Sequence, residues 1–156
     1  MSKTAIQAKG FFHLQIEEDG KIVGDSGWQE NQVTNLGFLN YLVLLLGASA
    51  GSAQIGYVAL GTGGAPNATA LTLPGEIMSS TERKAVTFAS VSSTTAQFTA
   101  TFASSDSFNS ADAAISNIGL YALTTTDDQL FAGNVYSSST LGTNQNVNIT
   151  YQIRFS

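Results

Sequence analysis

Asn146-Val147-Asn148-Ile149-Thr150-Tyr151-Gln152-Ile153-Arg154-Phe155 alternates without a break. Val147, Ile149, Tyr151, Ile153 and Phe155 fall on one face; Asn146, Asn148, Thr150, Gln152 and Arg154 fall on the other. A period of two is the mark of a strand with one buried and one wet face. A strand of this quality at the end of the chain is expected to lie inside a sheet and to be paired on both edges.

The same pattern recurs upstream. Gly10, Phe12, Leu14 and Ile16 alternate with Phe11, His13, Gln15 and Glu17, and Asp19-Gly20 separates them from Lys21-Ile22-Val23. Alternation on both sides of Asp-Gly is a hairpin signal, and Gly24 and Gly27 predict a bulge or bend in its second strand. Strands are also expected over 55–60, from Val86 and Phe88, over 98–102, through Ile118 and Leu120, and over 130–136. A turn is expected at Ser92-Ser93 and another at Asp127-Asp128-Gln129, and Ser104 to Ala113 reads as a polar loop. A Ser-Thr-Gly-Asn loop is expected just before the terminal strand.

One segment breaks the pattern. Thr34 and Asn35 are cap residues ahead of Leu36-Gly37-Phe38-Leu39-Asn40-Tyr41-Leu42-Val43-Leu44-Leu45-Leu46, where Leu39, Leu42, Val43 and Leu46 have helical spacing and Gly47 is a natural stop. This predicts one short buried helix over 36–46, followed by a small-residue linker over 48–52. The apolar run is far shorter than the ~20 residues of a membrane span. The stretch 65–80 holds both prolines and little periodicity, a length at which loops tend to be functional or to lie against a partner.

These elements predict an all-β fold, an antiparallel β-sandwich (jelly-roll-like) of about eight strands with one short buried helix. The whole chain, 1–156, reads as a single domain: an N-terminal hairpin over 8–30, the helix over 36–46, and the remaining strands over 54–156.

Composition narrows the function. Only 11% of the 156 residues are charged, against ~25% in an ordinary soluble domain, while 43% are apolar. So neutral a surface is poorly suited to an isolated monomer. The net charge of −5, with six Lys and Arg in no run, excludes nucleic acid as the expected partner. With no cysteine, thiol catalysis, disulfides and Cys-based zinc sites are excluded.

Each candidate for chemistry has a simpler reading. Gly61-Thr62-Gly63-Gly64 lacks the Lys of a phosphate loop and leads to Pro66, so it reads as a turn. His13 is the sole histidine; no GxSxG elbow accompanies it, and alternation sets it opposite Phe12 and Leu14. The acids, among them Glu17, Glu18, Asp19, Asp25, Glu30, Glu76, Asp106, Asp112, Asp127 and Asp128, lie mostly in predicted turns and lack the spacing of a calcium loop. Asn67-Ala68-Thr69 and Asn148-Ile149-Thr150 match the glycosylation sequon, a chance match in a chain this rich in Asn and Thr. Trp28, Tyr41, Tyr57, Phe88, Phe98, Phe102, Tyr121 and Phe131 read mostly as core aromatics, whereas Phe11 faces away from Phe12 and is expected to be exposed at a contact. No catalytic, metal or cofactor residues are therefore expected.

The order of the motifs carries more than any one of them. Val33-Thr34-Asn35-x-Gly37 precedes the helix. Tyr57-Val58-Ala59-Leu60-Gly61-Thr62-Gly63 is followed by Ala65-Pro66, Thr69-Ala70-Leu71 and Glu76. Arg83 opens a strand, then come Ala96-x-Phe98-x-Ala100-x-Phe102, Ile115-Ser116-x-x-Gly119-Leu120-Tyr121, Leu130-Phe131-Ala132 and the terminal alternation. Over 33–155 this order resembles small virion structural proteins of tailed bacteriophages, most of all capsid decoration (cement) proteins; the 8–30 hairpin lies outside the resemblance. The resemblance implies a β-sandwich without catalysis, seated on the outer surface of a capsid, bridging subunits of the major capsid protein as a homo-trimer. A tail-fibre, collar or baseplate adaptor is the alternative within that group. A small carbohydrate-binding β-sandwich is the alternative outside it, and would need exposed aromatics on one strand face.

Overall fold

The computed structural model describes residues 7–43, 47, 53–77, 83–106, 111–122 and 130–156. Nine strands form one antiparallel sheet: β1 (Ala8–Glu18), β2 (Lys21–Val33), β3 (Tyr57–Gly61), β4 (Lys84–Ala85), β5 (Thr87–Ser92), β6 (Thr95–Phe102), β7 (Ala113–Tyr121), β8 (Ala132–Leu141) and β9 (Asn146–Phe155). Their order is β4-β3-β7-β8-β2-β1-β9-β6-β5, curled almost into a barrel. The all-β antiparallel expectation holds, and the two layers of the expected sandwich are two halves of one continuous sheet.

Two strands turn the corners. β2 pairs with β1 along most of its length, but its last residues, Gln32 and Val33, pair with β8. β4 and β5 stand at opposite ends of the sheet order yet are joined through Val86 alone. β4 pairs with β3, β5 pairs with β6, and the Val86 N–H donates to Gly56 O at 2.9 Å. The path from Lys84 to Ser92 is thus one strand shared by both halves, as happens where a strand switches sheets. Counted that way the barrel has about eight strands.

The terminal strand is central, with β1 along one edge and β6 along the other. Its inward residues Val147, Ile149, Tyr151 and Ile153 join Phe12, Leu14, Ile16, Ile118, Leu120 and Phe131 in the main core. The Asp19-Gly20 hairpin is present, with both residues at positive φ (49° and 74°), as a two-residue turn matched to strand twist requires. The Ser137 to Thr140 stretch, expected as loop, is the second half of β8: it pairs across to β7, and only the turn at Thr143-Asn144 connects to β9. The 48–52 linker and the Asp127-Asp128-Gln129 turn lie outside the described residues.

The expected helix begins where Thr34 caps it. The Thr34 hydroxyl accepts from the Gly37 N–H at 2.9 Å and donates to Leu130 O at 2.5 Å. From Gly37 to Val43 the winding is π-helical, and residues 44–46 lie outside the described segment. Burial is the correction. Gly37 and Tyr41 point in, while Phe38, Leu39 and Val43 are exposed. The wider π turn no longer stacks residues spaced for an α-helix, so the predicted Leu stripe does not stay on one face.

The irregular stretch expected over 65–80 is described as far as residue 77, and it and the turn before it are tied to β7. Asn117 donates its amide to Gly64 O (2.9 Å) and Pro74 O (2.8 Å), and Ser116 donates to Gly63 O (2.9 Å). A Cβ at Gly63 would stand 2.3 Å from Pro74 O, so the close approach of these two turns requires glycine.

Candidate functional site

The outer face of β2, β1 and β9 carries a connected set of polar and aromatic contacts. Its geometry starts from a bulge. Opposite β1, Trp28 pairs with His13 and Asp25 pairs with Gln15, so Ser26 and Gly27 together face Leu14. Gly27 sits at φ 63°, the left-handed conformation that such a bulge uses. Local bonds secure it: the Asp25 carboxylate accepts from the Gly27 N–H (2.7 Å), and the Ser26 hydroxyl accepts from the Leu14 N–H (3.0 Å) and donates to Gly27 O (2.7 Å). In a regular strand, residues three apart point to opposite faces. The extra residue brings both Asp25 and Trp28 to the outside.

His13 and Asp25 therefore meet, Nε2 to Oδ1 at 2.6 Å, and Gln15 donates to the other carboxylate oxygen at 2.8 Å. The Gln15 amide, the Gly27 N–H and His13 together hold the Asp25 carboxyl down at about 2, against the ordinary 3.8. The neighbouring Ser26 hydroxyl does not join the pair; it is committed to the backbone of Leu14 and Gly27.

Trp28 was expected in the core; the bulge turns it out, and the indole is 45% exposed. Phe11 was expected exposed; it is half-buried, because the Arg154 guanidinium lies 4.2 Å over its ring. Arg154 also approaches Trp28, at 5.2 Å, and the His13 ring lies 5.4 Å from the same indole. Alternation places Phe11, His13 and Arg154 on one face, but only the Ser26-Gly27 bulge adds Trp28 and Asp25 to them.

A second candidate lies at the barrel's end. Between the π-helical turn and β5, β6 and β9 is a cavity of ≈ 430 Å³, lined chiefly by Tyr41, Leu42, Ile55, Phe88, Phe98 and Phe155. Phe88 is paired directly with inward-facing Phe98 yet is 61% exposed, which corrects its expected place in the core. Val91 on β5, and Leu39 and Val43 on the π-helical turn, are exposed nearby.

The most buried charges serve structure. Glu76 Oε1 accepts from Arg83 Nε at 2.7 Å, the Arg83 side chain is 1% exposed, and its guanidinium carbon sits 3.3 Å over the Tyr121 ring. The Tyr121 hydroxyl donates to Glu76 Oε2 (3.0 Å) and accepts from the Leu73 N–H (2.6 Å). Burial, and the Glu76 charge after it, push this phenol well above its usual range. Among the described residues no three His, Asp or Glu side chains converge as metal ligands.

The two predicted sequons fall differently. Asn67 caps its own turn, its carbonyl accepting from the Thr69 N–H (3.0 Å) and hydroxyl (2.8 Å). Asn148 is mid-strand and bonds Glu17 and Thr101. Compared with family models, with curated proteins and with solved structures, the chain matches none.

Proposed function

We propose that this protein is a non-catalytic virion structural subunit, a decoration protein that bridges subunits of the major capsid protein on the outside of a phage head. The observation that carries the reading is the apolar rim at the barrel's end. Phe88 is exposed where it lines an apolar cavity, and Val91, Leu39 and Val43 are exposed on the two elements, β5 and the π-helical turn, that contribute to its walls, on a chain with only 11% charged residues. Exposed apolar groups concentrated in this way mark protein contacts. The motif order over 33–155 supplies the kind of lattice, and three-fold symmetry follows from that resemblance. A subunit of this kind works by binding the assembled shell better than its separate parts, which raises the work of taking the shell apart.

Light scattering on the purified protein, then imaging of particles carrying it, tests the reading. The expected results are a trimer that Phe88→Asp breaks to a monomer, and density on the outer capsid surface. A monomeric wild type with no neighbour-to-neighbour contact on the particle defeats it.

A further inference from the structure

The face around Trp28 carries side-chain geometry that the lattice role does not use. Of the described cations on this sheet, Lys9 is paired with Glu30 at 3.1 Å, but Arg154 has no carboxylate within ion-pair distance among the described residues. It is nevertheless held in place. Its Nε donates to Gln152 Oε1 at 2.9 Å, and Gln152 is in turn oriented by donating to Gln97 Oε1 at 2.7 Å. Phe11 supports the guanidinium from below at 4.2 Å. A stacked, oriented arginine with no acid on its two terminal nitrogens is set up for a planar anion, since the fork of N–H groups matches a carboxylate.

Beside it stands a half-open indole, fixed by a bulge rather than by a flexible loop, with a His13–Asp25–Gln15 cluster on its other flank in the strand register. An aromatic face offers apolar area to the C–H side of a sugar ring, while fixed carboxylate and amide groups take its hydroxyls. Nucleic acid does not fit: no run of Lys or Arg is available to track a phosphate chain.

We propose that the outer face of β1, β2 and β9 binds an acidic saccharide, a sugar ring bearing a carboxylate, with Trp28 under the ring and Arg154 on the carboxylate. Asp25 and Gln15 are placed to accept from and donate to ring hydroxyls. The inference stands independently of the lattice reading.

Trp28 is the sole tryptophan, so its fluorescence reports this site alone. The probes are 3′-sialyllactose and digalacturonate, with lactose as the neutral control and sodium acetate as the simple anion. The expected result is a saturable change in emission with at least one acidic saccharide, weakened by salt. Lactose should bind at least ~10-fold more weakly, the worth of a charge-assisted hydrogen bond. Arg154→Gln should lose about that factor while keeping the wild-type melting temperature, and Trp28→Ala, followed by calorimetry, should lose binding as well. No response to either acidic saccharide overturns the proposal. So does equal binding by Arg154→Gln. An equal response to acetate overturns the saccharide and leaves a simple anion site.

Discussion

Among the described residues four tyrosines are buried, Tyr41, Tyr121, Tyr136 and Tyr151, and removing the hydroxyl should not have the same effect at the last three. Tyr121 accepts from the Leu73 N–H at 2.6 Å and donates to Glu76 at 3.0 Å. Tyr151 and Tyr136 have hydroxyls with no hydrogen-bond partner among the described residues. Phenylalanine fills nearly the same volume, so neither a cavity nor overpacking enters. Tyr121→Phe strands the N–H of Leu73, which is 3% exposed, at a cost of about 1–3 kcal/mol, and removes a hydrogen bond to a charged group worth about 1.5 kcal/mol or more. Glu76 keeps its Arg83 contact, so the sum is roughly 3 kcal/mol. For a chain of this size that lowers the melting temperature by roughly 6–12 °C. Tyr151→Phe removes a hydroxyl that lost its water on folding and gained nothing, so its melting temperature should stay level or rise by a few degrees. Calorimetry at neutral pH measures both, and hydrogen exchange at Leu73 should speed up in Tyr121→Phe alone. A Tyr121→Phe protein within ~1 kcal/mol of wild type would refute the bonding argument, as would Tyr151→Phe being the less stable of the two.

Two further outcomes follow from the same structure. Ile153→Asp places a charge at a position that is 3% exposed and flanked by Gly10 and Ala96, so it should cost more than about 4 kcal/mol; a variant melting within two or three degrees of wild type would contradict the central placement of β9. Asp25 has a folded pKa depressed to about 2 from 3.8, so its contribution is present above ~pH 4 and is lost as pH falls toward 2. The side chain is 43% exposed and the effect correspondingly modest. Melting curves at pH 5 and pH 2.5 should show a smaller fall in Asp25→Asn than in wild type, and identical falls would rule the carboxylate out.

Legibility in the sequence followed the range of the interaction. The Asp19-Gly20 hairpin, the Thr34 cap and the terminal strand are set by neighbours a few residues away, and each is where alternation and turn chemistry place it. Gly24 and Gly27 mark real register breaks in β2. What could not be read was made by distant partners. The amide of Asn117 pins Gly64 and Pro74, more than forty residues back, so a stretch that reads as unsupported is in fact held. His13 and Asp25 are both visible as candidates, and Gly27 signals a bulge, but nothing local shows which side chains of the two strands it sets together.

The corners explain why both candidate surfaces escaped the alternation rule. A sheet this curled must bend some strands sharply, and here the bends fall on β2 and on the β4–β5 path. Alternation assumes that each strand has one inside and one outside along its whole length. At a corner that assumption fails in two ways. On β2 the inserted residue flips the parity, and Trp28, read as core, is turned out beside Arg154. On β5 the parity is kept, and Phe88 does face inward with Phe98, but no strand covers it once the path has left β3 at Val86. One aromatic is exposed by a change of face and the other by a loss of cover. Two substitutions separate the mechanisms. Gly27→Val strains the left-handed position that the bulge needs, so it should disturb the bulge and shift the Trp28 emission, whereas Phe88→Ser should leave the Trp28 spectrum untouched. A shift in the second variant, or none in the first, would mean that the two corners are not the independent features described.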